Sequence, residues 1–420
     1  MKENFQFTKV HLFLIALLFY FAYVILMWKW GHQGDMTFWL DWSNLISEKG
    51  FTSIYDDGRV NYFPAYLYFL KFHTWIQGNP TDVQDNLYTI KYYTFVFDIL
   101  GAFAAIWFIK DINKKIYCFL LMMLNVAYIY NTALWGQVDA IFSFWGFLAI
   151  ILALEKRPVL SVVSLLLALN FKLQAVVFIP VIGLLLLPQY LENYKRFLYA
   201  IVSIILLQVL IISPFLFSGK INQVLDVLNS LVGFYPSPSL GAFNIWFLLM
   251  PNVDVEGMLL LSDEAIFGFL TLKQWGLLMF VIAVIISLLP FIKAYNEKYR
   301  MKKDFYIPLK QVFLSMALIA LSFYFFNTQM HERYAHPVLL SLATYSILSW
   351  NWKPMILFSI AYGMNLERIN WYLHLHHETY LHHWILGEKL IASIYLITLV
   401  YMFYLLIKEI KTSKSQNKVE

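Results

Sequence analysis

The chain has 420 residues and a net charge of +5; 60% of its residues are hydrophobic, 19% aromatic and only 14% charged. Soluble domains average about 25% charged residues, so too little polar surface is present to cover a water-soluble core of this length. The single cysteine, Cys118, excludes an internal disulfide and any cysteine-built metal site, and lysines in short loops explain the positive charge better than nucleic-acid binding does.

Taken in chain order, apolar runs of roughly the 17–25 residues that cross hydrocarbon fall near 9–29, 88–109, 116–132, 136–154, 158–170, 172–188, 197–217, 265–291, 308–326, 335–350, 354–366 and 387–408. They predict an all-α fold, a polytopic transmembrane bundle of about 12 spans forming a single domain over 1–420. The first run, "HLFLIALLFYFAYVILMW", lacks a small-residue cleavage site and is too long for a signal-peptide core, so it reads as a retained helix. One set of loops is basic: Lys2 and Lys9; Lys110, Lys114 and Lys115; Lys156 and Arg157; Lys195 and Arg196; Lys293 to Lys310; and the tail 409–420. The positive-inside rule puts these, and both termini, in the cytoplasm. A crossing at 61–75 would carry "KDINKK" outside, so 31–87 is predicted to be extracytoplasmic, with 61–75 an interfacial or half-inserted helix. A second large outer segment is expected at 218–264.

The remaining polar residues gather on the outer face of that map. Asp35, Asp41, Arg59, "WGQVDA" (135–140), "NFKLQ" (170–174), "MHERY" (330–334) and the histidine-rich 365–383 come from distant parts of the chain. Polar groups near membrane depth line internal cavities and mark functional sites. Asp35 follows Gly34 among apolar neighbours, where desolvation is expected to raise its proton affinity and fit it for general-base work. His331, Arg333 and Lys172 are donors suited to a phosphate, and Glu332 would orient them. Gln137, Asp139 and Gln174 suit sugar hydroxyls, and Trp135 offers a flat face for a sugar ring. Asp41, Asp56 and Asp57 stand in the same outer loop as alternative carboxylates, and His331–Glu332–Arg333 could equally be a structural ion cluster at a helix end. His374, His376, His377, His382 and His383 lack the accompanying carboxylate spacing of a metal motif, so no metal site is predicted there.

Four stretches together resemble the polytopic GT-C glycosyltransferases that use polyprenyl-phosphate sugars. The nearest likeness is to the bacterial Gpi18-like mannosyltransferase group, and the chain is also similar to dolichyl-phosphate-glucose glucosyltransferases. The stretches are "GDMTFWLDW" with "IYDDGRVNYFPAYLYFL", "NTALWGQVDAIFSFWGFLA", "LNFKLQAVVFIP" and "MHERYAHPVLL", the last departing from the pattern at His336. The resemblance implies a plasma-membrane enzyme performing an inverting hexosyl transfer on the extracytoplasmic face, without a metal or other cofactor. Asp35 would deprotonate an acceptor hydroxyl; His331, Arg333 and Lys172 would stabilise the departing polyprenyl phosphate; Trp135, Gln137, Asp139, Gln174, Asp41 and Arg59 would contact sugar or acceptor. The implied partners are a polyprenyl-phosphate-linked sugar donor, a glycan, glycolipid or protein acceptor, and membrane lipid. A lipid-linked-sugar transporter or flippase is the alternative; it would spread polar residues through the bilayer depth, whereas the inner halves of these spans are nearly free of charge.

Overall fold

Backbone amides in hydrocarbon must be paired within the chain, which favours helices. The computed structural model, which describes residues 7–27, 29–56, 58–231, 233, 235–372 and 386–416, is accordingly dominated by them. In order they are α1 Lys9–Leu26, α2 Gln33–Lys49, α3 Pro64–Gln77, α4 Pro80–Asp85, α5 Ile90–Ala105, α6 Ile112–Met123, α7 Val126–Tyr130, α8 Asp139–Leu154, α9 Pro158–Phe171, α10 Ile179–Glu192, α11 Tyr194–Phe217 and α12 Ile221–Leu231. There follow α13 Ile245–Leu249, α14 Val255–Leu260, α15 Leu272–Ser287, α16 Leu289–Met301, α17 Leu309–Phe326, α18 Val338–Ser349, α19 Lys353–Asn370 and α20 Glu388–Gln416. Two-residue strands add little: β1 (Ser239–Leu240), β2 (Ile266–Phe267), β3 (Leu270–Thr271) and β4 (Met330–His331). β2 and β3 form an antiparallel pair, and β1 lies parallel to β4 with Leu240 opposite His331.

This is an all-α membrane protein. Among the described residues five helices are long and apolar enough to cross a bilayer, or up to seven if α6 with 126–135 (bent 58°) and α15 with α16 (bent 46°) each make one span. The twelve apolar runs of the sequence all contain helices, but α8, α9 and α18 are shorter, with 16, 14 and 12 residues. α17 forms the core, with 78% of its apolar window buried, whereas only 11% of the α11 window is buried. α1 and α11 instead expose rows of large apolar side chains, among them Phe13, Leu18, Phe21, Ile25, Leu206 and Leu210. Such contiguous exposed apolar surface is untenable in water and appropriate against lipid.

The two ends of the bundle differ in charge. At one end the basic loops are tied together: Lys298 to Glu192 (2.6 Å), Lys310 to Glu409 (2.6 Å), Gln189 to the Ala153 carbonyl (2.9 Å) and Trp107 to Glu155 (3.3 Å). α8 and α9 lead from that end to the other, about 24 Å away for the 16 residues of α8. There α2 and α3 pack through aromatic edges, Trp39 meeting Tyr66 at 4.7 Å and Tyr62 at 5.4 Å. α3, at the position expected for an interfacial helix, begins with proline at its first turn, where the missing N–H costs no hydrogen bond. It buries Tyr66, Leu67, Leu70 and His73 and exposes Phe72, Trp75 and Ile76.

Candidate functional site

Two glycine-bearing segments build the first wall. Residues 131–135 form a π-helical turn that ends at Gly136, whose φ of +88° suits only glycine without strain. A Cβ there would meet Met36 Sδ at 2.7 Å, and one on Gly31 would meet the Trp135 carbonyl at 2.6 Å, so the start of α2 and this turn pack backbone to backbone. Hydrogen bonds fix the register: His32 N–H to the Trp135 carbonyl (2.8 Å) and Trp39 Nε1 to the Gly136 carbonyl (3.0 Å). The buried Lys91 ammonium clamps both sides, donating to the Ala133 carbonyl (3.1 Å) and to that of Trp30. Asp35 is thereby held in the first turn of α2, where the helix dipole favours an anion. Its Oδ2 accepts from Trp135 Nε1 at 2.6 Å and lies 3.4 Å from His32 Nδ1; the His32 ring stacks on Trp135 with centroids 4.5 Å apart.

The second wall is the turn after α17. Arg333 places Nη2 3.5 Å from Asp35 Oδ1 and Nη1 2.8 Å from Glu332 Oε1, so two carboxylates share one guanidinium. His331 Nδ1 is 3.9 Å from Glu332 Oε2, and its ring meets the edge of Tyr235 at 5.4 Å. β1–β4 pairing secures His331, and Asn365 secures β1 in turn, donating to the Gly241 carbonyl (2.8 Å) and accepting from Phe243 N–H (3.1 Å). A third element is the pair Lys172–Asp139, joining the end of α9 to the start of α8; Asn131 donates to the second Asp139 oxygen at 2.9 Å.

These walls enclose a cavity of about 860 Å³ lined by Asp35, Lys172, Gln174, His331, Glu332 and Arg333, together with His32, Tyr62, Tyr235 and Tyr334. Apolar side chains, among them Phe38, Val176, Leu259, Leu277 and Phe323, complete the lining. Six residues singled out in the sequence therefore meet in one chamber. The others do not line it. Trp135, Gln137 and Asp139 are buried behind the wall at 0–1% exposure, so the expected sugar platform on Trp135 is corrected: His32 covers the ring, and its N–H is committed to Asp35. Asp139 neutralises Lys172. Asp41 lies further along α2, half-buried, and Arg59 is exposed; neither borders the cavity. Asp56 pairs with Lys220 at the surface (2.7 Å). Asp57 and the histidines at 374, 376, 377, 382 and 383 lie outside the described residues, among which no three His, Cys, Asp or Glu side chains are grouped to hold a metal.

The electrostatics also differ from expectation. Burial alone would raise the proton affinity of Asp35, but the Arg333 guanidinium, with His32 and Gln137 beside the carboxylate, outweighs it and holds Asp35 well below the usual carboxylate range. Burial pushes Glu332 upward despite Arg333, and burial together with Arg333 pushes His331 well down. Arg333 is held firmly charged: burial opposes its charge, but Asp35 and Glu332 more than offset that. Lys91 was missed as part of the site because its partners, the Ala133 and Trp30 carbonyls, lie 42 and 61 positions away; His32 was missed although its i,i+3 spacing from Asp35 was a local signal that the two could meet. No model of a known protein family matches the chain, and no curated protein matches its sequence.

Proposed function

We propose that the chain is an inverting glycosyltransferase of the GT-C type, moving a hexose from a polyprenyl phosphate to a hydroxyl of a cell-envelope acceptor. The observation that carries this reading is the meeting of Asp35 and Arg333, 3.5 Å apart and both in a chamber whose lining is otherwise rich in apolar side chains. Such a chamber suits a ligand with an anionic head and a lipid tail. The acceptor oxygen attacks the anomeric carbon on the face opposite the phosphate. A C–O bond forms as the C–O bond to phosphate breaks, and the electron pair leaves on the phosphate oxygen. Arg333, with His331 as a further N–H donor, would meet the charge that develops there; the acceptor proton leaves toward the Asp35 centre.

Sidedness follows from the basic loops. They gather at the end opposite the cavity, which under the positive-inside rule supports an extracytoplasmic cavity. The test supplies membranes with polyprenyl-phosphate hexoses and compares wild type with Asp35→Asn. Transfer that survives undiminished in the variant removes Asp35 from the reaction.

A further inference from the structure

Among the described residues, His32 is the imidazole that lies against the Asp35 carboxylate. Its Nδ1 is buried and lies 3.4 Å from Asp35 Oδ2, close enough for an ion pair, but makes no hydrogen bond in this structure. A third of the side chain is nevertheless exposed, and the residue lines the cavity. With Nδ1 turned inward, the open part of the ring is its Nε2 side. Stacking on Trp135 at an interplanar angle of 18° fixes the ring plane, and the His32 backbone is tied to the Trp135 carbonyl. Asp35, in contrast, is surrounded by donors. Oδ2 takes the Trp135 N–H and faces His32, while Oδ1 faces Arg333. A proton arriving on Asp35 would have to displace one of them.

Resting on the transferase reading, we infer that His32 Nε2, and not Asp35 itself, receives the proton of the acceptor hydroxyl. In this step the acceptor O–H bond breaks and its proton passes to Nε2. The oxygen bonds the anomeric carbon, and the electron pair of the broken C–O bond leaves with the polyprenyl phosphate. The imidazolium so formed donates through Nδ1–H to Asp35, which stays ionised throughout. Asp35 thus fixes the tautomer and stabilises the cation, the division of labour that an acid–imidazole pair performs wherever a hydroxyl is activated. The other titratable groups around the pair are Arg333, Glu332 and His331. Arg333 is engaged by carboxylates, Glu332 is bound to it, and His331 stands beyond Glu332.

The experiment uses the full-length protein in detergent. It is given a panel of undecaprenyl-phosphate hexoses with methyl glycosides as acceptors, and free undecaprenyl phosphate is counted. His32→Gln and His32→Ala are each expected to lower kcat by about 10²-fold or more, the contribution of a general base. KM for the donor should stay within about threefold, and added imidazole should restore part of the His32→Ala rate. A His32→Gln enzyme as fast as wild type overturns the assignment and leaves the transferase reading standing. So does a loss in His32→Ala that imidazole does not relieve. Wild-type protein that releases nothing from any donor defeats the transferase reading, and this assignment falls with it.

Discussion

Two buried cations reach the cavity wall, Lys172 and Arg333, and their pairing with carboxylates is built differently. Lys172 and Asp139 are matched one to one, with side chains 5% and 1% exposed, and Asn131 completes the carboxylate. Arg333 is shared by Asp35 and Glu332, at 3.5 and 2.8 Å, and reaches the cavity with surplus donors. The first arrangement is closed: an arriving phosphate would have to separate Lys172 from Asp139, leaving a buried carboxylate alone. The second is open, because a guanidinium has five N–H donors and can exchange one carboxylate for a phosphate without losing the other. Under the proposed function, Lys172–Asp139 would serve as a strut joining α8 to α9 and Arg333 as the cation that meets the ligand. The sequence offered Lys172 and Arg333 alike as phosphate donors; their different pairing is what separates the roles proposed for them.

The contrast can be broken from either side. Lys172→Met should be the most damaging to stability, about 3–5 kcal/mol, since it strands the Asp139 carboxylate. Adding Asp139→Leu should recover most of that, which thermal unfolding in one detergent would measure; a double variant no better than the single would mean the pair is not a closed unit. Arg333→Lys keeps the charge but loses the fork. It should cost about 10²-fold in kcat, the scale of losing one oriented donor to developing charge, with little change in unfolding temperature. Gly136→Ala places a methyl against Met36 at φ +88° and should cost about 1–3 kcal/mol through strain and overpacking. Asp41→Asn and Arg59→Ala, away from the cavity, should shift stability by less than about 0.5 kcal/mol and leave turnover intact. A large loss of turnover in either would extend the site beyond the chamber.

How much of this was legible in the sequence depends on the range of the interaction. The helical membrane architecture was readable because apolar run length is a local property. The number of full crossings was less so, since a 14-residue run such as α9 reads alike whether it crosses or packs inside the bundle. Asp35, Lys172, Gln174, His331, Glu332 and Arg333 were found because polar side chains stand out against apolar surroundings. Trp135 was misread because its partners, Asp35 and His32, lie about a hundred positions earlier, and nothing near it in sequence shows its N–H already used. The basicity of Asp35 was misjudged for the same reason. Burial is visible from neighbouring residues, but the Arg333 charge that outweighs it arrives from nearly three hundred residues away.

The most direct measurement is polyprenyl phosphate release from undecaprenyl-phosphate hexoses by wild-type protein and by Asp35→Asn, in the same membranes and at matched protein levels. Asp35 anchors both the imidazole and the guanidinium, so the variant should lose about 10³-fold or more of the release rate while the cavity still binds the donor. Release by Asp35→Asn at the wild-type rate would contradict a reaction centred on the meeting of Asp35 and Arg333.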